Sequence, residues 1–353
     1  MIRAMPVQKT EYLDWAIGRY ESLRINLASS GVPSAPSSGF ANPPAPDDAH
    51  AWIRLAEFVV ERAGWGRGEA TATAGATGAM TLACAVLLGP GDRALVERPT
   101  YEPLVRIPAG FGAAVDRFDR RPGNGWALDP DTIAAAMRPG TRIVLVTEPN
   151  NPTGVLSPPE AIAAAAEVVE GAGAKLFVNE VYRRFHPVRS ARSLDAGIIV
   201  GESVTKFEGV WWARGGWLGG PADFVERARA AQVTLSVLPP GGAAWALAAL
   251  QRPDLADRAR ALAAPGKRAL VAEWVRRHPR LSWTEPRGGL FGFVHVADAP
   301  NLRALAERLQ KERGVLFAPG SFFEMAEWMR ISWTDSPERI AEGLEIVGSA
   351  LGL

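Results

Sequence analysis

Residues 143–182, IVLVTEPNNPTGVLSPPEAIAAAAEVVEGAGAKLFVNEVY, read as strand, turn, helix, turn and strand. Residues 143–147 form a short apolar run rich in β-branched side chains, and residues 176–178 form another. Between them, Ser157-Pro158-Pro159-Glu160 has the Ser/Glu spacing of a capping box, with proline in the first turn, and predicts a helix start. Two strands joined through a helix make a parallel crossover. Parallel strands are covered on both faces, so they read as continuous apolar runs.

The same alternation extends outward in both directions. Residues 93–96, 113–118 and 198–200 are further strand candidates, and Asp129-Pro130 opens a helix with an aspartate cap. Residues 70–91 carry no charge, but their threonines, glycines and proline predict a loop and then a buried helix, not a membrane span. The fold class expected is α/β, a mostly parallel sheet flanked by helices, over a large domain spanning 47–240. Upstream, residues 9–24 predict an amphipathic helix carrying Tyr12, Trp15, Ala16 and Tyr20, and residues 29–46 predict irregular chain. Asp47 or Asp48 is expected to cap a helix that runs to about Glu61 and stops at Gly64. Beyond 240 the pattern changes to helices over 243–263 and 267–277, short strands near 289–296 and 329–332, and a last helix over 337–351. This predicts a smaller α+β domain over 241–353, to which the N-terminal segment 1–46 contributes.

Composition limits the function. Of 39 basic residues 34 are arginines, and 38 acids leave a net charge of +1. That balance argues against nucleic acid or an anionic membrane as the main partner. One cysteine, Cys84, excludes an intrachain disulfide and fits a reducing, cytoplasmic setting. Residues 1–20 show no secretory apolar stretch. The four histidines have no metal-binding spacing, so no metal is expected. Any reaction that needs an amine has five lysines to draw on.

Unusual residues gather where the parallel strands end, which is where such sheets bind ligands. After 143–147 comes Glu148-Pro149-Asn150-Asn151-Pro152-Thr153-Gly154, and after 176–178 comes Asn179-Glu180-Val181-Tyr182. After 198–200 comes Ser203-Val204-Thr205-Lys206, and Arg214 follows Lys206 by eight residues. With Met329-Arg330-Ile331 near the C-terminus, these motifs resemble the fold type I, pyridoxal 5'-phosphate (PLP)-dependent aminotransferases of class I/II. The resemblance runs from about Leu27 to the end of the chain.

It implies the following roles. Lys206 would form the Schiff base with PLP and move the substrate's Cα proton. Gly75, Ala76 and Thr77, at a helix N-terminus, would cradle the PLP phosphate with Ser203 and Arg214. Tyr101 would stack on the ring, Asn151 and Tyr182 would bond its phenolic oxygen, and Asn179 would face its nitrogen. Arg330 offers the substrate carboxylate a two-donor fork, and Gly31 belongs to the segment that covers it. The implied partners are an α-amino acid, a 2-oxo acid and a second copy of the chain in a homodimer.

Three departures qualify this. The family carries aspartate at position 179, and its charge keeps the ring nitrogen protonated. Asparagine cannot do so in the same way, and Glu180 points to the opposite face of the strand. A tyrosine that reaches the partner's cofactor has no match, Phe40 being the nearest aromatic. Trp211 and Trp212 stand where the family has small residues, as pocket-narrowing groups or as packing. Weakened transamination, another PLP reaction such as elimination, racemisation or a specialised biosynthetic step, and PLP binding without transamination are all compatible with these residues.

Overall fold

The computed structural model describes residues 9–20, 23–45, 48, 50–235 and 240–353. Its first half contains α1 (Glu11–Ala16), β1 (Ile25–Leu27), α2 (Ala51–Ala63), β2 (Ala70–Thr73), α3 (Gly75–Leu87), β3 (Arg93–Arg98), α4 (Pro103–Gly110), β4 (Ala114–Asp119), α5 (Pro130–Ala136), β5 (Thr141–Thr147), α6 (Pro159–Gly171) and β6 (Lys175–Asn179). The second half adds β7 (Ile199–Ser203), β8 (Gly216–Gly219), α7 (Ala222–Thr234), α8 (Pro240–Leu250), α9 (Pro253–Leu262), α10 (Pro265–Arg277), β9 (Leu281–Trp283), β10 (Phe291–Val296), α11 (Leu302–Arg313), β11 (Val315–Pro319), β12 (Trp328–Ser332) and α12 (Pro337–Leu351).

Seven strands form the larger sheet in the order β2-β8-β7-β6-β5-β3-β4. The pairs from β7 through β4 are parallel, and β8 alone runs antiparallel to its neighbours β2 and β7. Val144, Leu145, Val146, Phe177, Val178 and Val200 are buried in the middle of this sheet. They pack toward α3 and α7 on one face and α6 on the other. This is the mostly parallel, helix-covered α/β sheet read from the sequence. A five-stranded sheet, β1-β11-β12-β10-β9, carries its own core with α10, α11 and α12.

Several local expectations are corrected. Ser157 does not cap α6, whose N-cap is Pro158 without a side-chain bond. Its hydroxyl donates to Glu148 Oε1 at 2.6 Å and accepts from the amide of Leu128, so a buried carboxylate recruits it instead. Asp129 does cap α5, accepting from the amides of Asp131 and Thr132. The opening helix stops at Ala16, because Ile17 is extended and Gly18 has a left-handed φ of 77°. The N-cap of α2 is His50; Asp48 accepts the His50 amide, and Asp47 lies outside the described residues. Gly64 ends α2 as expected, in the left-handed conformation. The helix expected over 243–263 is two helices, since Pro253 starts α9. Residues 70–73 are the strand β2 and not a loop.

Candidate active site

The ends of β5, β6 and β7 lie level, with Thr147 paired to Asn179 and Asn179 to Gly201. Ser203, closing β7, pairs with Gly216 of β8, which pairs in turn with Thr73 at the end of β2. This register sets the start of α3, the Lys206 loop and Arg214 side by side. A side chain at Gly216 would bring its Cβ to 2.7 Å from the Gly75 backbone, so only glycine permits this approach. Arg214 holds a left-handed φ of 53°, a strained choice for a residue with a side chain. An ideal Cβ on Gly75 would lie 3.5 Å from Arg214 Nη2, so the guanidinium lies over the first turn of α3.

That first turn presents unpaired amide donors. The N-cap Ala74 has no side-chain bond, and the opening amides of a helix lack intrahelical partners. Among the described residues the Arg214 guanidinium has neither an ion pair nor a hydrogen bond, the backbone amide donating to Trp211 O, and Ser203 Oγ only accepts the Thr205 amide at 3.3 Å. Gly75, Ala76, Thr77, Ser203 and Arg214 therefore come together with donors to spare.

Lys206 follows β7 and is half-buried. Its Nζ donates to Ser30 Oγ at 3.1 Å, and its carbonyl accepts from the amide of Val32. Gly31 lies between these contacts, where a Cβ would meet Lys206 Cδ at 3.1 Å. Burial, and then the positive charges of Arg330 and Arg214, pull the Lys206 amine down to about 8. It is deprotonated far more readily than a solvated lysine.

Arg330, in β12, is 0% exposed and has no carboxylate partner among the described residues. Nη1 donates to Asn151 Oδ1 at 2.7 Å, and Nη2 donates to Tyr12 Oη at 2.7 Å and to Ala28 O at 2.8 Å. The Asn151 turn reaches this strand because Gly154, at φ 74°, lies against β10. A Cβ there would clash with the carbonyl of Phe291.

Tyr182 stacks edge-on against Phe291 at 5.0 Å, and burial pushes its phenol up to about 12. Its hydroxyl also meets Ser30. Tyr101 is half-buried, edge-on to Tyr12 at 6.3 Å. Asn179 is buried at the end of β6, and its Oδ1 has no partner among the described residues. Glu180 faces elsewhere, accepting the Ala191 amide and pairing with Arg183.

Contacts thus link Gly31, Tyr182 and Lys206 through Ser30, and Tyr101, Asn151 and Arg330 through Tyr12 and Arg330 itself, while Arg214 lies over Gly75. Sequence reasoning missed Tyr12, Tyr20 and Ser30, which belong to the same cluster. The chain has four tyrosines, and all four converge here. Tyr12 and Tyr20 were expected only as the apolar face of a helix. Also missed was a buried network beneath the Lys206 loop, in which Arg183 and Arg184 bind Glu180, Glu202 and Glu208. Arg184 Nη2 also donates to the carbonyl of Ser203 at 3.0 Å, bracing the loop from below. Trp212 is packing, since its Nε1 donates to Ala35 O and its ring meets Trp245, whereas Trp211 is 51% exposed. Phe40 is buried against Trp245. No group of three or more metal-ligating side chains occurs among the described residues.

Comparison with known proteins identifies the family. Residues 43–347 match the family model of aminotransferase class I and II. The chain is 28% identical to the capreomycidine synthase of Streptomyces vinaceus, over 99% of this chain and 95% of that one. It is 28% identical to the aspartate/prephenate aminotransferase of Thermus thermophilus, over 75% of this chain and 71% of that one. Among solved structures, a PLP-dependent aminotransferase from Streptococcus suis superposes with a TM-score of 0.83 at 24% identity, covering 98% of both chains. The chain belongs to the class I and II aminotransferases, a family of transferases that use PLP.

Proposed function

We propose that this member of the family transfers an amino group between an α-amino acid and a 2-oxo acid, with Lys206 as its reactive amine. The observation that carries the reading is Lys206 itself, an amine drawn down to about 8 between Arg330 and Arg214. The residues present fit PLP. The orphaned Oδ1 of Asn179 offers an acceptor to the ring nitrogen, and the α3 N-terminus with the unpaired Arg214 suits a phosphate. Gly75, Ala76, Thr77, Ser203 and Arg214 would hold that phosphate, Tyr101 the ring face, and Asn151 and Tyr182 the phenolic oxygen. PLP supplies an aldehyde to capture the substrate amine and a conjugated ring to draw electrons from Cα.

The chain's own residues do the rest. Lys206, neutral in a substantial fraction near pH 8, takes and returns the Cα proton. Arg330, lacking a counter-ion among the described residues, binds the α-carboxylate, and the Gly31 segment covers it. We take the large domain to span 47–240, with the small domain built from 1–46 and 241–353. We take the protein to be a cytoplasmic homodimer, a reading supported by family membership and by the exposed Trp211 close to Arg214.

Asn179 sets the level of activity. A neutral amide cannot hold a proton on the ring nitrogen as a carboxylate does, so general transamination is weak. Asn179→Asp is expected to raise single-turnover rates with amino acids by at least about tenfold, equivalent to ~1.4 kcal/mol of barrier. Unchanged rates, followed by absorbance, would sink the electron-withdrawal argument. A second reading, a specialised PLP-dependent biosynthetic step, is favoured by the near-full-length similarity to a synthase together with Asn179. Product analysis over a panel of amino acids separates the two, since transamination must release an oxo acid.

A further inference from the structure

A guanidinium presents a carboxylate with two double-donor edges, one made by Nε and Nη2 and the other by Nη1 and Nη2. Both edges run through Nη2. In Arg330 both Nη2 hydrogens are taken, one by Tyr12 Oη at 2.7 Å and one by Ala28 O at 2.8 Å. Asn151 occupies Nη1, and the buried Nε has no partner. Neither edge can accept a carboxylate in two-point fashion until an acceptor leaves Nη2.

The way each acceptor is held decides which one leaves. Ala28 O is a main-chain carbonyl just past β1; the Ala28 amide is tied to Asn26 Oδ1 at 3.0 Å, and the carbonyl also accepts from Tyr20 Oη at 3.2 Å. Tyr12 Oη is a side-chain tip held, among the described residues, only by Arg330 and by Tyr20 Oη at 3.1 Å. These contacts close a ring: Arg330 to Tyr12, Tyr12 to Tyr20, Tyr20 to Ala28, and Arg330 to Ala28. Tyr20 has one proton and gives it to Ala28 O, so Tyr12 gives its own to Tyr20 and offers Arg330 a lone pair. Every acceptor on Arg330 is neutral. A carboxylate makes a stronger, charge-assisted bond than a phenol oxygen and displaces it.

We propose that Tyr12 is a positioning and specificity-determining residue of the carboxylate site. Its hydroxyl keeps the Arg330 fork aligned and satisfied, and gives up Nη2 only to an anionic ligand. This rests on the reading of Arg330 as the carboxylate-binding residue. Removing the hydroxyl strips the empty site of an acceptor but leaves the carboxylate-filled edge intact, so it shifts the balance toward binding.

The test uses full-length, PLP-loaded protein titrated calorimetrically with propionate and with the neutral propionamide. Tyr12→Phe is expected to bind propionate about 3- to 10-fold more tightly than the unmodified protein, with propionamide unchanged. Tyr20→Phe, which opens the ring without touching Arg330, should shift propionate in the same direction by less. Propionate binding no tighter in either folded variant, as judged by circular dichroism, overturns the proposal. Arg330→Lys reports on the underlying reading. If it binds propionate as well as the unmodified protein, the carboxylate role of Arg330 fails. If it loses binding while Tyr12→Phe gains none, only the role of Tyr12 fails.

Discussion

Arg120 and Arg330 are both enclosed in the protein, and their surroundings differ in one respect that separates scaffold from site. Arg120 donates to Glu97 at 2.6 Å and to Glu148 at 2.7 Å, and adds bonds to Trp126 O, Thr147 O and Ser157 Oγ. Its charge is over-compensated, and burial together with Glu148 pushes the Glu97 carboxyl up to about 7 in spite of Arg120. Arg330 has comparable burial, but its hydrogen-bond acceptors among the described residues are a carbonyl, an amide oxygen and a phenol, and its cation lies over the rings of Tyr12, Phe291 and Phe323. Burying a charge without a counter-ion is costly, which supports the proposal that the second guanidinium receives an anion from outside.

Removing each charge should break the symmetry between them. Arg120→Met strands two buried carboxylates, and urea unfolding should show a loss of about 3–5 kcal/mol. Arg330→Met removes an uncompensated charge, so the same measurement should show a change within about 1 kcal/mol or a gain. Its cost falls instead on binding: two charge-assisted bonds to a carboxylate are worth about 3 kcal/mol, and KM for an α-amino acid should rise about 100-fold. A collapse in stability with intact KM would reverse the two roles.

The smallest effect sharpens the contrast from the side of Lys206, which also lacks a carboxylate partner among the described residues. Burial lowers its amine from 10.5 to about 8, so between these values the folded chain binds fewer protons than the unfolded chain. The penalty is complete below pH 8 and disappears above the unfolded value. Lys206→Met in cofactor-free protein should therefore gain about 1–3 kcal/mol at pH 7, fading as pH rises through 8 toward 10.5. Denaturation at pH 7 and pH 10 checks the sign.

The parallel strands were legible in the sequence because their apolar runs are unbroken and helices with clear starts separate them. β2 and β8 were not, because Ala70–Thr73 and Gly216–Gly219 are made of small or glycine-rich residues that carry no strand pattern. The Ser157 capping box failed for a reason outside its own segment, namely the Glu148 carboxylate that tertiary packing brings to it. The motifs of Asn151, Asn179, Ser203 and Lys206 stand out in the sequence because each lies at or just beyond the end of β5, β6 or β7. Tyr12 does not, because its helical spacing describes the ring and says nothing of the hydroxyl. The pairing that gives that hydroxyl its role joins residue 12 to residue 330.

The short strand β1 pairs in parallel with β11, Ile25 beside Val315 and Leu27 beside Phe317. During synthesis the ribosome releases Ile25 long before Val315 exists, so the beginning of the chain must wait, unpaired, until nearly all of the protein has been made. Its apolar residues are exposed throughout that interval, while the seven-stranded sheet can already assemble. The segment carrying Ser30 and Gly31 is anchored by this late pairing. A protein truncated before β11 would therefore keep Lys206 and lose the cover over it.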